Sequence, residues 1–123
     1  VKDVMHTKRE IPIVSENASM KAVLIEMTRK SFGHVGVTSN KNSLVGIITD
    51  GDLRRRINDD FFNFTAKDIM TRNPKLIDQN ELLPDTLSTM NKNKITCLFV
   101  INNKSKKNPI GIIHIHDCLR YAN

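Results

Sequence analysis

The chain repeats itself, and the repeat fixes most of what it can fold into. Ala66-Lys-Asp-Ile-Met70 echoes Val1-Lys-Asp-Val-Met5, and Leu76-Ile77 echoes Ile13-Val14. Cys97 to Ile101 echoes Val35 to Thr38, and Ile110-Gly-Ile-Ile113 echoes Val45-Gly-Ile-Ile48. The spacing of about 65 residues is too long for the stacked units of a solenoid. It predicts an α/β fold of two βαββα copies, each a small sheet packed against helices. The copies run over residues 1–57 and 66–123, joined by a linker at 58–65. A unit of this size is marginal alone, so the copies are expected to share a core and to leave equivalent clefts between them.

Within the first copy, apolar Ile11 to Val14 reads as a strand. Ser15, Glu16 and Asn17 supply helix-start chemistry for a helix over Ala18 to Lys30. Met20, Val23, Leu24 and Met27 form one helical stripe, read as core packing. Val35 to Thr38 and Leu44 to Ile48 are strands around the polar turn Ser39 to Ser43, and a helix runs on to about Ile57. The linker carries Asp59, Asp60, Phe61, Phe62 and Phe64, aromatics expected to dock on their own domain. In the second copy the helix starts near Asn80 with Pro84 in its first turns, and Lys104 to Asn108 is a turn.

Chemistry concentrates where the last strand of each copy meets its last helix. In the first copy this is Gly46-Ile-Ile-Thr-Asp-Gly-Asp-Leu-Arg-Arg55. Thr49, Asp50 and Asp52 cluster at the turn, and Arg54, Arg55 and Arg56 follow on the first helical turn. Carboxylates suit the hydroxyls of a ribose and arginines suit phosphate, so the turn reads as a sugar-phosphate or nucleotide site. The plain alternative for Asp52 and Asp117 is a helix-start carboxylate, worth roughly 0.3–1 kcal/mol. Arg54 and Arg55 have the alternative of surface ion pairs, and at most two of three consecutive arginines can face one site. In the second copy His114, His116 and Asp117 fall at the equivalent turn. Neutral histidine can hydrogen-bond a sugar or phosphate there. His6 and His34 read as structural or exposed.

Several function classes fall away. A calcium loop needs more regularly spaced oxygen ligands, and a zinc site needs a third ligand beside His114 and His116. Metal enters only as Mg²⁺ carried by a phosphate ligand. Neither a Ser/His/Asp nor a Cys/His order supports nucleophilic catalysis, and no Gly-rich phosphate loop occurs. Cys97 and Cys118 lie in apolar segments and read as buried thiols. The net charge of +6 is spread through Lys/Asn/Ser loops without interleaved aromatics, which argues against a nucleic-acid surface. No apolar run approaches the roughly 18 residues of a membrane helix. The opening at Val1 reads as a piece of a longer, cytoplasmic protein.

Two copies ending Gly-φ-φ-x-x-x-Asp-x-φ, with φ apolar, resemble a tandem pair of cystathionine-β-synthase-type (CBS) domains, a Bateman module. The resemblance covers almost the whole chain. It implies that Thr49 with Asp52, and His114 with Asp117, hold the ribose of an adenine nucleotide. Val4-Met-His-Thr7, Glu10-Ile-Pro12, Thr49 to Arg55, Ala66 to Met70 and His114 to Arg120 together resemble the C-terminal CBS pair of bacterial arabinose-5-phosphate isomerases. Phe32-Gly-His-Val35 and Cys118 depart from that subfamily's pattern.

The resemblance implies a non-catalytic regulatory module without a required cofactor. A nucleotide or a CMP-activated sugar in the inter-repeat cleft would modulate an attached sugar-isomerase domain. That domain supplies 3-deoxy-D-manno-octulosonate (Kdo) for lipopolysaccharide. CBS pairs also associate as homodimers, so an oligomerisation module with vestigial clefts is the alternative.

Overall fold

A computed structural model describes residues 1–58, 60–102 and 107–121. Asp59 and residues 104–106 of the expected Lys104–Asn108 turn lie outside the described residues. The chain forms two compact units, one of residues 12–74 and one of residues 1–11 with 75–123.

The 12–74 unit holds a four-stranded sheet in the order β1-β2-β3-β4. Its strands are β1 (Ile13–Ser15), β2 (His34–Thr38), β3 (Leu44–Thr49) and β4 (Thr71–Arg72), with helices α1 (Met20–Lys30), α2 (Asp50–Arg56) and α3 (Ala66–Ile69). β1 runs parallel to β2, as a helical crossover requires, and β2, β3 and β4 are antiparallel neighbours.

α1 begins later than its sequence suggests. The Glu16 N–H is taken by the Thr38 carbonyl and the Ala18 N–H by the Ser15 carbonyl, so Ser15 to Asn17 close a turn at the end of β1. Ser19 is the cap, its hydroxyl accepting from the Ala22 N–H. The expected stripe is core: Met20 and Val23 are fully buried and Met27 nearly so, beside Val35, Val37 and Ile48. Phe61 is buried and Phe64 packs against the same cluster, whereas Phe62 is exposed and meets Phe61 edge to face.

The other unit repeats the design with a three-stranded sheet, β5 (Leu76–Asp78), β6 (Cys97–Ile101) and β7 (Pro109–His114). Helices α4 (Leu83–Asn93) and α5 (Ile115–Tyr121) complete it. Pro84 sits in the first turn of α4, where its missing N–H costs nothing. Thr86 takes the place that Val23 has in α1. It is fully buried, and its hydroxyl donates to the Leu82 carbonyl.

Each unit incorporates the lead-in segment of the other copy. Met70 from the start of copy two lies over Gly46 of β3, and Met5 from the start of copy one lies over Gly111 of β7. His6 bridges to Ile112 with mutual backbone hydrogen bonds of 2.8 and 2.9 Å, as Thr71 pairs with Ile47. Each unit holds its own cluster of buried apolar residues. The copies exchange chain, and the exchanged segment enlarges each small core.

Candidate functional site

The turn after β3 is built by a reciprocal cap. Thr49 Oγ1 accepts from the Asp52 N–H at 3.1 Å, and Asp52 Oδ2 accepts from the Thr49 N–H at 2.9 Å. Thr at a strand end with Asp three residues on dictates this locally, so the plain structural role of Asp52 is realised. Asp52 nevertheless keeps capacity. Its Oδ1 accepts from the Arg55 guanidinium at 2.6 Å, and the Arg55 side chain is 70% exposed against 13% for Asp52. An ion pair with one partner so exposed holds the arginine weakly, by well under about 1 kcal/mol. Asp50 is exposed, and its N–H donates to the Gly33 carbonyl at 3.1 Å.

The arginines do not lie where expected. α2 has only seven residues, and Arg54, Arg55 and Arg56 occupy its last turn. Successive helical side chains diverge, so Arg55 reaches back to Asp52 and Arg56 lies 5.8 Å from the Phe64 ring centroid. Arg54 is exposed and shows no contact with the cluster among the described residues.

His34, half-buried, stands beside this cluster. β2 and β3 pair His34 with Thr49 in antiparallel register, and directly opposed residues point to the same face with Cβ atoms about 5 Å apart. Its Nδ1 lies 3.3 Å from the Phe32 carbonyl, which can only accept, so the proton sits on Nδ1. Burial pushes the imidazole below its ordinary value of 6.5; the Phe32 carbonyl and the charges of Asp50 and Asp52 oppose the shift without cancelling it.

The equivalent turn after β7 has the same skeleton with different partners. Asp117 Oδ2 accepts from the His114 N–H at 2.9 Å, and the His116 N–H donates to His114 Nδ1 at 3.0 Å. The two rings lie 4.5 Å apart, with His116 exposed. Asp117 is buried, and His6 Nε2 approaches it at 3.0 Å to Oδ2 and 3.2 Å to Oδ1. The other His6 nitrogen lies 3.6 Å from Glu10 Oε2. The bridge to Ile112 holds the His6 backbone beside Asp117, so the imidazole leaves the carboxylate only by a change of rotamer. Opposite His114 stands Cys97, where the other turn has His34. Burial and the nearby Asp117 push the Cys97 thiol up to about 12, so it is protonated and inert. Burial raises Cys118 too.

Thr49, Asp50, Asp52 and Arg55 thus come together at one turn, and His114, His116 and Asp117 at the other. His34 and His6, outside the sequence-derived candidates, stand beside the two turns. Counting the hairpin register outward from the Ser39–Ser43 turn puts His34 opposite Ile48; the irregularity between Val37 and Thr38 is what moves it opposite Thr49. No local signal connects His6 to a carboxylate 111 residues away. Among the described residues no group of three or more side chains is arranged to hold a metal ion. No described helix is long and apolar enough to cross a membrane.

Comparison with known proteins fits this architecture. The chain is 39% identical over 98% of its length to the arabinose 5-phosphate isomerase KdsD of Yersinia pestis, and spans 36% of that relative. Its fold matches the crystal structure of CBSX2 in complex with AMP with a TM-score of 0.83, at 21% identity, covering 98% of this chain and 93% of that one. It matches the CBS domain pair of MJ0100, in complex with 5′-methylthioadenosine and S-adenosyl-L-methionine, with a TM-score of 0.83 at 23% identity, covering 98% and 92%. The family model for the CBS domain matches residues 1–59 and again 66–123, and the chain belongs to that family as a pair of its domains.

Proposed function

We propose that this CBS pair is a non-catalytic regulatory module that binds a nucleotide or nucleotide sugar at the Thr49 turn. In this reading it modulates an arabinose-5-phosphate isomerase in the same protein, and so the supply of Kdo for lipopolysaccharide. The observation that carries the reading is the exchangeable Asp52–Arg55 pair. A ligand phosphate draws the exposed Arg55 outward and frees Asp52 Oδ1 for a ribose hydroxyl, while the cap keeps the carboxylate in position. The likeness to KdsD supports the isomerase connection, and the AMP and S-adenosylmethionine complexes of its structural neighbours support the ligand class. Regulation then follows from differential binding: a ligand that prefers one conformation of the module biases whatever is attached to it.

His114, His116 and Asp117 form the weaker candidate, because His6 already occupies the Asp117 carboxylate. A thermal-shift panel with AMP, ATP, CMP and a CMP-activated sugar tests the reading. A ligand at a hundredfold excess over its dissociation constant stabilises the fold by about 2.7 kcal/mol. The expected result is a shift for one of them that Asp52→Asn removes, since Asn keeps the acceptor of the cap and loses the charge. No shift for any ligand would overturn the reading.

One observation favours assembly as a second reading. A groove of about 1100 Å³ opens beside α4, lined by Val1, Val4, Leu83, Leu87 and the exposed Leu82 and Tyr121. Sedimentation across a concentration series reads this directly: a stable dimer with no ligand response supports assembly over sensing.

A further inference from the structure

His34 stands beside the Thr49 cap without being part of it. Its side chain shares a sheet face with Thr49 at the open end of the β2–β3 hairpin. With Nδ1–H directed at the Phe32 carbonyl, Nε2 of the neutral ring is left as an acceptor. No partner for Nε2 occurs among the described residues. Every fully buried side-chain nitrogen and oxygen there has one, so Nε2 reaches solvent. The ring is also close enough to Asp50 and Asp52 to feel both charges. Asp50 itself folds back toward the hairpin, its Oδ2 lying 3.2 Å from where a Cβ on Gly33 would stand. A hydroxyl donor, two carboxylates, a releasable guanidinium and a tautomer-locked acceptor thus surround one strand end.

We propose that His34 is a specificity-determining residue of this site, its Nε2 accepting a hydrogen bond from an amino or hydroxyl donor on a nucleotide-type ligand held at Thr49. The proposal rests on the nucleotide-binding reading above. The chemistry is selective because a fixed acceptor repels a second acceptor. A base carrying an exocyclic amine satisfies it and a base with a carbonyl at that position does not, and a ribose 2′-hydroxyl satisfies it where a 2′-deoxyribose offers no donor at that carbon. The other turn offers no counterpart, since Cys97 opposite His114 is a buried, protonated thiol and a weak acceptor.

Titration calorimetry on the chain with AMP, IMP, CMP, UMP and the 2′-deoxy forms of AMP and CMP tests it, using wild type, His34→Phe and His34→Gln. For whichever of AMP and CMP binds wild type, His34→Phe is expected to weaken affinity about tenfold, the loss of one hydrogen bond. One preference should collapse toward unity with it. Collapse of the amino-over-carbonyl ratio identifies a base amine as the donor, and collapse of the ribo-over-deoxy ratio identifies the 2′-hydroxyl. His34→Gln, with an amide oxygen to accept, should recover part of the loss. Imidazole ¹⁵N spectra of the wild-type chain add a reading that needs no variant: Nε2 unprotonated in the free protein and shifted on saturation with the bound nucleotide. Wild-type affinity and unchanged ratios in His34→Phe, or an Nε2 resonance indifferent to ligand, overturn the role of His34 alone. Failure of the wild-type chain to bind any of these nucleotides overturns this proposal, and failure with ATP and a CMP-activated sugar as well overturns the reading it rests on.

Discussion

Asp52 and Asp117 have the same local geometry and different fates. Both accept the backbone N–H of the residue three before them, and they differ in what takes the rest of the carboxylate. On one turn the partner is a long arginine side chain, 70% exposed, on the same short helix; on the other it is a histidine, 31% exposed, whose backbone is held by a strand bridge. Availability of the carboxylate, not its presence, separates the two turns. His34 has a measurable consequence of its own. Its folded-state value lies below 6.5, so between that value and 6.5 the unfolded chain binds the proton and the native chain does not. Stability from this group is present above 6.5 and is lost as pH falls through the folded value. Urea midpoints measured downward from pH 7.5 should therefore fall less steeply for His34→Phe than for wild type. Identical slopes would mean that the ring is as solvated as in the unfolded chain. Of these residues, Thr49 and Asp52 were legible because a cap is a local motif, its two members only three positions apart. His6 beside Asp117 was not, because the contact comes from tertiary pairing over 111 residues.

At the scale of elements, periodicity found the helices and strands but not their ends. The Met20–Met27 stripe located α1, yet its start was drawn too early, because hydrogen bonds from Glu16 and Ala18 claim the preceding residues for the strand turn. The arginines were assigned to a first turn because the length of α2 cannot be read from three like charges. The two strand glycines were legible as repeats but not as contacts. Gly46 lies beneath Met70, and a Cβ there would also stand 2.9 Å from the Thr71 carbonyl. Gly111 lies beneath Met5, with the His6 carbonyl 3.1 Å from its would-be Cβ. Met side chains yield and strand backbone yields less, so Gly46→Ala should cost about 1–3 kcal/mol by overpacking, with Gly111→Ala similar or smaller. Chemical denaturation reads both. A loss below about 0.5 kcal/mol at Gly46 would show that the lead-in segment is loosely held.

At the scale of the molecule, the sequence repeat runs from each lead-in segment to the following helix, while the compact units run from each sheet to the other copy's lead-in. The repeat was legible because both copies keep the same apolar spacing. The exchange was not, since nothing local says which sheet Val1–Met5 or Ala66–Met70 joins. Each unit therefore holds one turn of the same design and different chemistry around it: Thr49, His34 and an exposed Arg55 in one, His114, Cys97 and the His6 paired with Asp117 in the other. The account thus claims one functional ligand turn per chain. Calorimetric titration of the 123-residue chain with the nucleotide that shifts its melting transition measures this directly. The account predicts one molecule bound per chain, lost in Asp52→Asn and retained in Asp117→Asn. Two equivalent sites, or binding that survives Asp52→Asn and disappears in Asp117→Asn, would contradict it.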